Sequence, residues 1–444
     1  MAAGASGLTL PWWKEPTKDQ WFAWVAGCFG WMLDAFDYTI FLFIMVPIAQ
    51  EFGVSVTAVA AILTLTIWLR FVGAIGAGWL ADRIGRKGPL MISILWFSVC
   101  NFIAGFSPSF PFLLVVRAVL GIGMGAEWPA GASLAMESWP ARSRGLMGCL
   151  MQGSFPVGFA LASLAYWLLF DAVGWRGLLW LGILPALLCV YIRYFVKEPP
   201  VWVENRKRQH ELKQEVKAPL IAIFKPPLLG NTLTACWWAA SVLVVYFAVY
   251  YLFAAWLQTE FKVDAVSIAV PVLLSNLVSL GGGGFLGWLA DRIGRRWSST
   301  IQAMIACIVA PAYLLTKDLA WIIIGFVIQG AFGGALPTLA SAYLTERFPT
   351  EVRSTASGFC YHFGTIVAGL VPVGISYLAI ERHMGFAIPL LIATLAGSAS
   401  VIVSLLFSPE TKGKVFTPEL MTRENIQLAA AKTLVPAASM ASEN

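Results

Sequence analysis

The chain has 444 residues, 59% of them hydrophobic and 12% charged, with a mean hydropathy of +0.75. It has too little polar surface to cover a water-soluble fold of that size, so a bilayer has to serve as its solvent. The net charge of +6 sits in short loops between apolar runs rather than on one face, which argues against a nucleic-acid partner and makes the basic residues topology signals.

The chain opens on a polar tail, 1–20, with Trp12, Trp13, Lys14 and Lys18 just ahead of Trp21 and Trp24. Rings mixed with cations anchor a helix at headgroup depth. The start lacks a signal peptide's charged region and cleavage site, so the first apolar run is expected to stay as a membrane helix. Runs of the roughly 20 apolar residues that cross a bilayer predict helices at 21–46, 57–80, 89–106, 112–136, 145–168 and 176–196. A linker too polar to cross, 197–227, holds Arg206, Lys207, Arg208, Lys213, Lys217 and Lys225. Further runs lie at 231–257, 267–290, 297–315, 320–344, 355–378 and 386–407, and a flexible polar tail, 408–444, closes the chain. The expectation is an all-α membrane protein with twelve transmembrane helices in two six-helix bundles, 21–196 and 228–407. Seven cysteines fall one per apolar run without a CxxC pair, so buried thiols are expected and no metal or cofactor.

Loop charge sets the orientation. With both termini cytoplasmic, Arg83, Arg86, Lys87, Arg142, Arg144, the linker cluster, Arg292, Arg295, Arg296, Arg347 and Arg353 all lie inside. The opposite loops hold Arg176, Lys262, Lys317 and Arg382. That bias predicts a multi-pass plasma-membrane protein, in a bacterium the inner membrane.

The nine residues from Gly78 to Arg86, GWLADRIGR, return unchanged from Gly287 to Arg295, an offset of 209 (287 − 78). Glu137, Pro140 and Arg144 return at the same offset as Glu346, Pro349 and Arg353. Two halves related by a parallel repeat follow. In each copy the glycines permit a tight turn and close helix approach, and Asp82 or Asp291 can face the positive end of a helix. Arg83 and Arg86, like Arg292 and Arg295, can reach Glu137 or Glu346 on the following loop. Such surface pairs are individually weak, yet made in one conformation and broken in another they bias a two-state equilibrium. The set, with Arg144 and Arg353, reads as a gating latch; a plain positive-inside signal is the alternative.

Charged residues left inside the bilayer are functional candidates. They are Asp34 and Asp37 on the first helix, Arg70 on the second, and Arg117 and Glu127 on the fourth, with His362 on the eleventh beside them. None has a charged match at the 209 offset. Asp34 and Asp37 share a helical face, where two close carboxylates do not both ionise easily, which suits proton coupling; one of them simply pairing with Arg70 is the structural alternative. Arg70 can fork onto a substrate carboxylate, or onto Asp37 when the site is empty. Glu127, at mid-depth without an obvious cation, is a third proton-site candidate, and Arg117 a further anion-binding one. The glycines at 121, 123 and 125 read as helix packing. Tyr246 and Tyr250 share a face and can close over a ligand. Gln152, Asn276, Tyr361 and His362 complete the substrate-lining candidates, with interhelical hydrogen bonding as the alternative for each.

GWLADRIGRK resembles the signature loop of the major facilitator superfamily between helices 2 and 3, and its second copy the loop between helices 8 and 9. With Arg117-Ala118-Val119-Leu120-Gly121 the resemblance spans nearly the whole chain. Leu33-Asp34-Ala35-Phe36-Asp37, Gly125-Ala126-Glu127-Trp128 and Glu137-Ser138-Trp139-Pro140 resemble the sialate:proton symporters, which include lactate and other monocarboxylate carriers. The aspartate pair is also similar to that of the aromatic-acid:proton symporters. The resemblance implies a monomeric, proton-coupled symporter of a small organic anion working by alternating access, with protons and the lipid bilayer as its other partners. Pro409-Glu410-Thr411-Lys412-Gly413 resembles the end of sugar porters, but helix 7 lacks their glutamine-rich motif. A membrane receptor that holds its ligand without moving it is the alternative of another class. An enzyme is not expected, because no nucleophile–base pair or phosphate loop is present.

Overall fold

A computed structural model describes residues 11–418 and residue 420, and among these every regular element is a helix. Positions 1–10, 419 and 421–444, which include parts of both expected tails, lie outside the described residues. Eleven helical stretches are long and apolar enough to cross a bilayer. The longest, Ala141–Phe195, is two: Gly174, at φ 63° and ψ −174°, breaks it. The twelve helices are α1 (Lys18–Phe52), α2 (Val56–Ile84), α3 (Lys87–Ala104), α4 (Phe110–Ser138), α5 (144–173) and α6 (175–195), then α7 (Leu229–Tyr250), α8 (Ala265–Ile293), α9 (Arg295–Leu314), α10 (Leu319–Arg347), α11 (Arg353–Glu381) and α12 (Ala387–Leu406). Between the halves the linker adds a short helix, Pro200–Glu211.

Local chemistry fixes the ends. The Thr17 hydroxyl accepts from the backbone of Gln20 while the Gln20 side chain accepts from Thr17 N (2.7 Å), a capping box that starts α1. Ser55 and Asp264 cap α2 and α8 more simply, each side chain accepting a backbone N–H of the first turn. Gly85 and Gly294 of the two repeat copies turn the chain at φ 112° and 108°, a region where a Cβ is strained. α10, predicted as one rod, is instead loosened at Gly330–Gly334 and tightened at Leu336–Leu339, where three glycines and Pro337 interrupt the hydrogen-bond ladder.

Each half packs tightly on itself, α2 and α3 against α4 and α1 against α5 in the first, α7 against α11 and α12 in the second. The halves meet along two related pairs, α2 with α11 and α5 with α8. Here the repeat glycines act: a Cβ at Gly78 would lie 2.6 Å from the Thr355 Cα, and one at Gly287 2.7 Å from the Gly145 carbonyl oxygen. Bare backbones therefore touch at the end of the molecule that carries the linker, called here the linker side. The outer surface keeps exposed apolar groups such as Trp167, Leu187 and Ile308, the pattern a bilayer covers.

Gly121 and Gly125 pack α4 onto α2 as expected, and a Cβ at Gly125 would collide with the Arg70 carbonyl. Gly125→Val is expected to lower the melting temperature of the purified protein, at a cost of about 1–3 kcal/mol for overpacking. Gly76→Ala, which meets open space, should leave it unchanged.

Candidate functional site

Depth along the helices sorts the buried charges into pairs. α1 climbs away from the linker side while α2 and α4 descend toward it, so Arg117, early in α4, lies farther from the linker side than Arg70. Asp37, one turn beyond Asp34, meets Arg117, whose Nη1 donates to both carboxylate oxygens at 3.2 and 3.4 Å. Asp34 meets Arg70 in a close ion pair. The two aspartates thus each have an arginine, and Arg70 rests on Asp34, not on Asp37 as anticipated. Arg117 Nη1 also donates to Asn101 Oδ1 (2.9 Å), and its guanidinium lies 4.2 Å from the centroid of the Phe41 ring. Its Nε and Nη2 have no hydrogen-bond partner among the described residues.

Glu127 is fully buried on α4, packed against Gly30 and Gly131 of α1 and α4, and neither carboxylate oxygen has a hydrogen-bond partner among the described residues. Three carboxyl groups therefore share two guanidinium groups. An ionised carboxylate buried without a partner is strongly disfavoured.

Beside this cluster, between the halves, lies a cavity. Arg70, Tyr246, Gln152, Tyr361 and His362, all candidates from the sequence, line it. Three other candidates stand elsewhere. Arg117 is behind the wall on Asp37; the Tyr250 hydroxyl donates to Ser275 O (3.2 Å) on α8; Asn276 donates to Val272 O (2.9 Å) of its own helix. Tyr251, one and two turns beyond Phe247 and Leu243 on the same face of α7, lines the cavity and meets Tyr38 across the halves, hydroxyl to hydroxyl at 3.5 Å. Trp31 and Tyr38 also line the cavity and were missed, although with Asp34 they follow the i, i+3, i+7 spacing of one helical face.

Toward the linker side the cavity has a floor built from both halves. Trp128 Nε1 donates to Gln152 Oε1 (3.0 Å), Gln152 Nε2 donates to the Tyr361 hydroxyl (3.0 Å), and the Trp128 and Tyr361 rings stack with centroids 4.1 Å apart. Beneath it the repeat residues close the seam. Asp82 accepts from the backbone N–H groups of Ser354 (3.0 Å) and Thr355 (2.9 Å) at the start of α11, and Asp291 from those of Gly145 and Leu146 (both 2.9 Å) at the start of α5. Each aspartate thus caps a helix of the opposite half. Arg86 forks onto Glu137 and Arg295 onto Glu346, while Arg353 (2.5 Å) and Arg144 (3.4 Å) cross to those same glutamates from the other half. These pairs are buried rather than on the surface as expected. Burial opposes the charge of Arg86, but Glu137 and Asp82 more than offset it and hold its pKa above the ordinary value. Arg83 and Arg292 stay outside the network, exposed over Trp79 and Trp288.

Two further elements were not anticipated. Glu198 accepts from Arg86 N (2.8 Å) and Lys87 N (2.9 Å), and Glu410 from Arg295 N (2.8 Å) and Arg296 N (3.1 Å), capping α3 and α9. They stand 212 apart (410 − 198), outside the 209 register that exposed the other repeats. The segment 408–418, expected to be flexible, runs as a strap across the seam. Thr411 donates to Glu346 (2.7 Å), Lys414 O accepts from Arg144 (2.7 Å), and Pro418 O accepts from Asn205 of the linker helix (3.2 Å). The Phe416 ring lies 3.8 Å from the Arg144 guanidinium and 3.9 Å from that of Arg353. An aromatic among polar neighbours was the available signal.

A family model described as Major Facilitator Superfamily matches residues 27–301 and 240–432. Among curated relatives, a probable 4-methylmuconolactone transporter of Cupriavidus pinatubonensis is 32% identical over 412 residues, 90% of this chain and 93% of that one. The sialic acid transporter of Escherichia coli is 25% identical over 421 residues, 92% and 98% of the two chains. The solved proton:xylose symporter XylE superposes with a TM-score of 0.73 at 17% identity, over 89% of this chain and 97% of its own; at that identity the likeness is one of fold.

The strap predicts a measurable change in how often the linker side opens. Cys149 is 1% exposed, at the α5–α8 contact that closes the seam. With the other cysteines replaced, Phe416→Ala is expected to speed Cys149 labelling by a maleimide about tenfold, the size of two lost cation–π contacts. An unchanged rate would separate the strap from gating.

Proposed function

This chain belongs to the Major Facilitator Superfamily, and we propose that it is a proton-coupled symporter that imports a small organic anion by alternating access. It is a multi-pass membrane transporter and not an enzyme. The observation that carries the finer reading is the position of Arg70: it lines the cavity between the halves and is at the same time the partner of buried Asp34.

A substrate carboxylate has to compete with Asp34 for that guanidinium. When Asp34 takes up a proton, Arg70 is released to fork onto the substrate, and binding becomes linked to protonation. Asp37 and Arg117 form a second pair one turn away, through which a proton can enter from the side opposite the linker. Glu127, with no hydrogen-bond partner among the described residues, holds a proton in this conformation and supplies the third exchangeable position. The linker side is read as cytoplasmic, because the basic loops gather there. Closure of the latch then corresponds to a cavity shut toward the cytoplasm, and its opening to release of anion and proton inside.

Two relatives support an acid as cargo: the names of the proteins above give 4-methylmuconolactone and sialic acid as what they carry. Within that class the cavity favours a flat, unsaturated or aromatic acid over lactate. Trp31, Tyr38, Tyr246, Tyr251 and Tyr361 offer ring faces on several sides, and stacking rewards a planar skeleton.

The test is uptake into proteoliposomes under an inward proton gradient, with lactate, a sialic acid, 4-hydroxybenzoate and glucose as the panel. Accumulation of one acid is expected, and Arg70→Ala should reduce its binding about 100-fold, as for loss of a buried charge partner. Asp34→Asn and Asp37→Asn should abolish gradient-driven accumulation, with Asp34→Asn retaining acid exchange because Arg70 is then free. Full pH-driven accumulation in either aspartate variant would overturn the coupling scheme, and glucose uptake indifferent to Arg70 would overturn the carboxylate reading.

A further inference from the structure

The hydrogen-bonding groups around the cavity have fixed polarities, and their partners reveal them. Trp128 can only donate through its indole, so the group it meets at 3.0 Å is the oxygen of Gln152. The amide of Gln152 is thereby turned so that its NH2 donates to the Tyr361 hydroxyl. That hydroxyl accepts, and its own hydrogen remains to be given. Arg70, lining the same cavity, is likewise a donor. Two donors, one of them charged, suit the two oxygens of a carboxylate.

His362 has the opposite polarity. Its ring lines the cavity, and its Nδ1 lies 3.0 Å from the carbonyl oxygen of Gly358, one turn back on α11. A carbonyl oxygen only accepts, so Nδ1 carries the hydrogen, and in the neutral ring Nε2 on the edge away from the helix backbone is an acceptor. The cationic form would put a second positive charge beside Arg70 with no carboxylate in ion-pair contact among the described residues. Edge contacts with Trp128 and Tyr361 fix the ring plane (76° and 77° between planes), and no protein donor among the described residues is bonded to Nε2. A carboxylate has no hydrogen to give to it.

We propose that His362 makes this site select acids that carry a hydroxyl group: Arg70 and Tyr361 hold the carboxylate, and the substrate hydroxyl donates to Nε2 of His362. This rests on the carboxylate reading above and narrows it. An acid without a donor, or one with a ring nitrogen that only accepts, leaves the Nε2 lone pair unmet inside a desolvated site, the kind of mismatch by which polar pockets discriminate.

Paired acids test it on the purified protein, by tryptophan fluorescence with Trp31 and Trp128 at the cavity as reporters: 4-hydroxybenzoate against benzoate, and lactate against propionate. The hydroxylated member of the better-binding pair is expected to bind about five- to tenfold more tightly, the size of one neutral hydrogen bond. His362→Phe should erase that ratio, and His362→Gln, which can present an amide oxygen, should keep part of it. Equal affinities within each pair for the wild-type protein overturn the proposal without needing any variant to fold, and so does a ratio that survives in His362→Phe. Binding of neither pair, or binding indifferent to Arg70→Ala, removes the carboxylate reading and this inference with it.

Discussion

A guanidinium buried away from water is stabilised best by a carboxylate, and that pairing organises this molecule at both of its centres. Arg70 and Arg117 in the middle, and Arg86, Arg144, Arg295 and Arg353 at the linker side, are all largely or fully buried, and each has an acidic partner. The difference lies in what each partner is attached to. Arg86 with Glu137, and Arg295 with Glu346, bind within one half and make each half rigid. Arg353 and Arg144 bind across the halves, so in the proposed cycle their partners are exchanged when the halves move. Arg70 with Asp34 binds within a half but faces the cavity, so in that cycle its partner is exchanged when cargo arrives. Under the proposed function one pairing rule then gives a scaffold, a latch and a binding site.

The two halves keep their symmetry at the seam and lose it around the cavity. Asp82 and Asp291 cap opposite helices with matching geometry, and a seam built this way can open from either side without favouring one half. The mid-membrane charges belong to the first half alone. Facing them, the second half supplies Ser279 at the position matching Arg70 and Tyr246 at that matching Asp37, both in the cavity wall. The seam also departs from symmetry in one respect. Glu137 is reached by its cross-half arginine at 2.5 Å, Glu346 at 3.4 Å. Arg144 is drawn instead toward Lys414 O and Phe416, and Thr411 fills the place on Glu346. The strap takes over at the second site what a direct ion pair does at the first.

The helices, the repeat and the set of buried charges were legible because each depends on a linear signal: apolar run length, exact recurrence, or a charge inside an apolar run. The pairing was not. Whether Arg70 meets Asp34 or Asp37 is a matter of one helical turn in relative depth, and no periodicity within a single helix records how far its neighbour has slid. Tyr250 was misplaced for a related reason. It shares a face with Tyr246 as expected, ring centroids 5.0 Å apart, but its hydroxyl is taken up by Ser275 of α8. The neighbouring face, with Phe247 and Tyr251, lines the cavity. The strap was hidden by composition, since polar segments read as solvated when what orders them lies far away in sequence. Asn205 and Arg144, which hold Pro418 and Lys414, stand 213 and 270 positions back.

Burial of the latch raises an energetic question that surface pairs do not. Charge-assisted hydrogen bonds contribute roughly 1.5–3 kcal/mol each, and Asp82, Asp291, Arg144 and Arg353 together make several across the seam. Added naively they would lock the linker side shut, whereas alternating access needs its two states within a few kcal/mol of each other. The resolution lies in where those groups go. Opening the seam exposes the free N–H groups of α5 and α11 and the two cross-half arginines to water, which replaces most of what is lost, while Arg86 and Arg295 keep Glu137 and Glu346 paired within their own halves. The net cost is then the difference between protein and water partners, which is small, plus the backbone contact at Gly78 and Gly287. A latch of this kind holds by geometry more than by strength. A bulkier residue at either glycine would alter the balance more than the loss of any one charge.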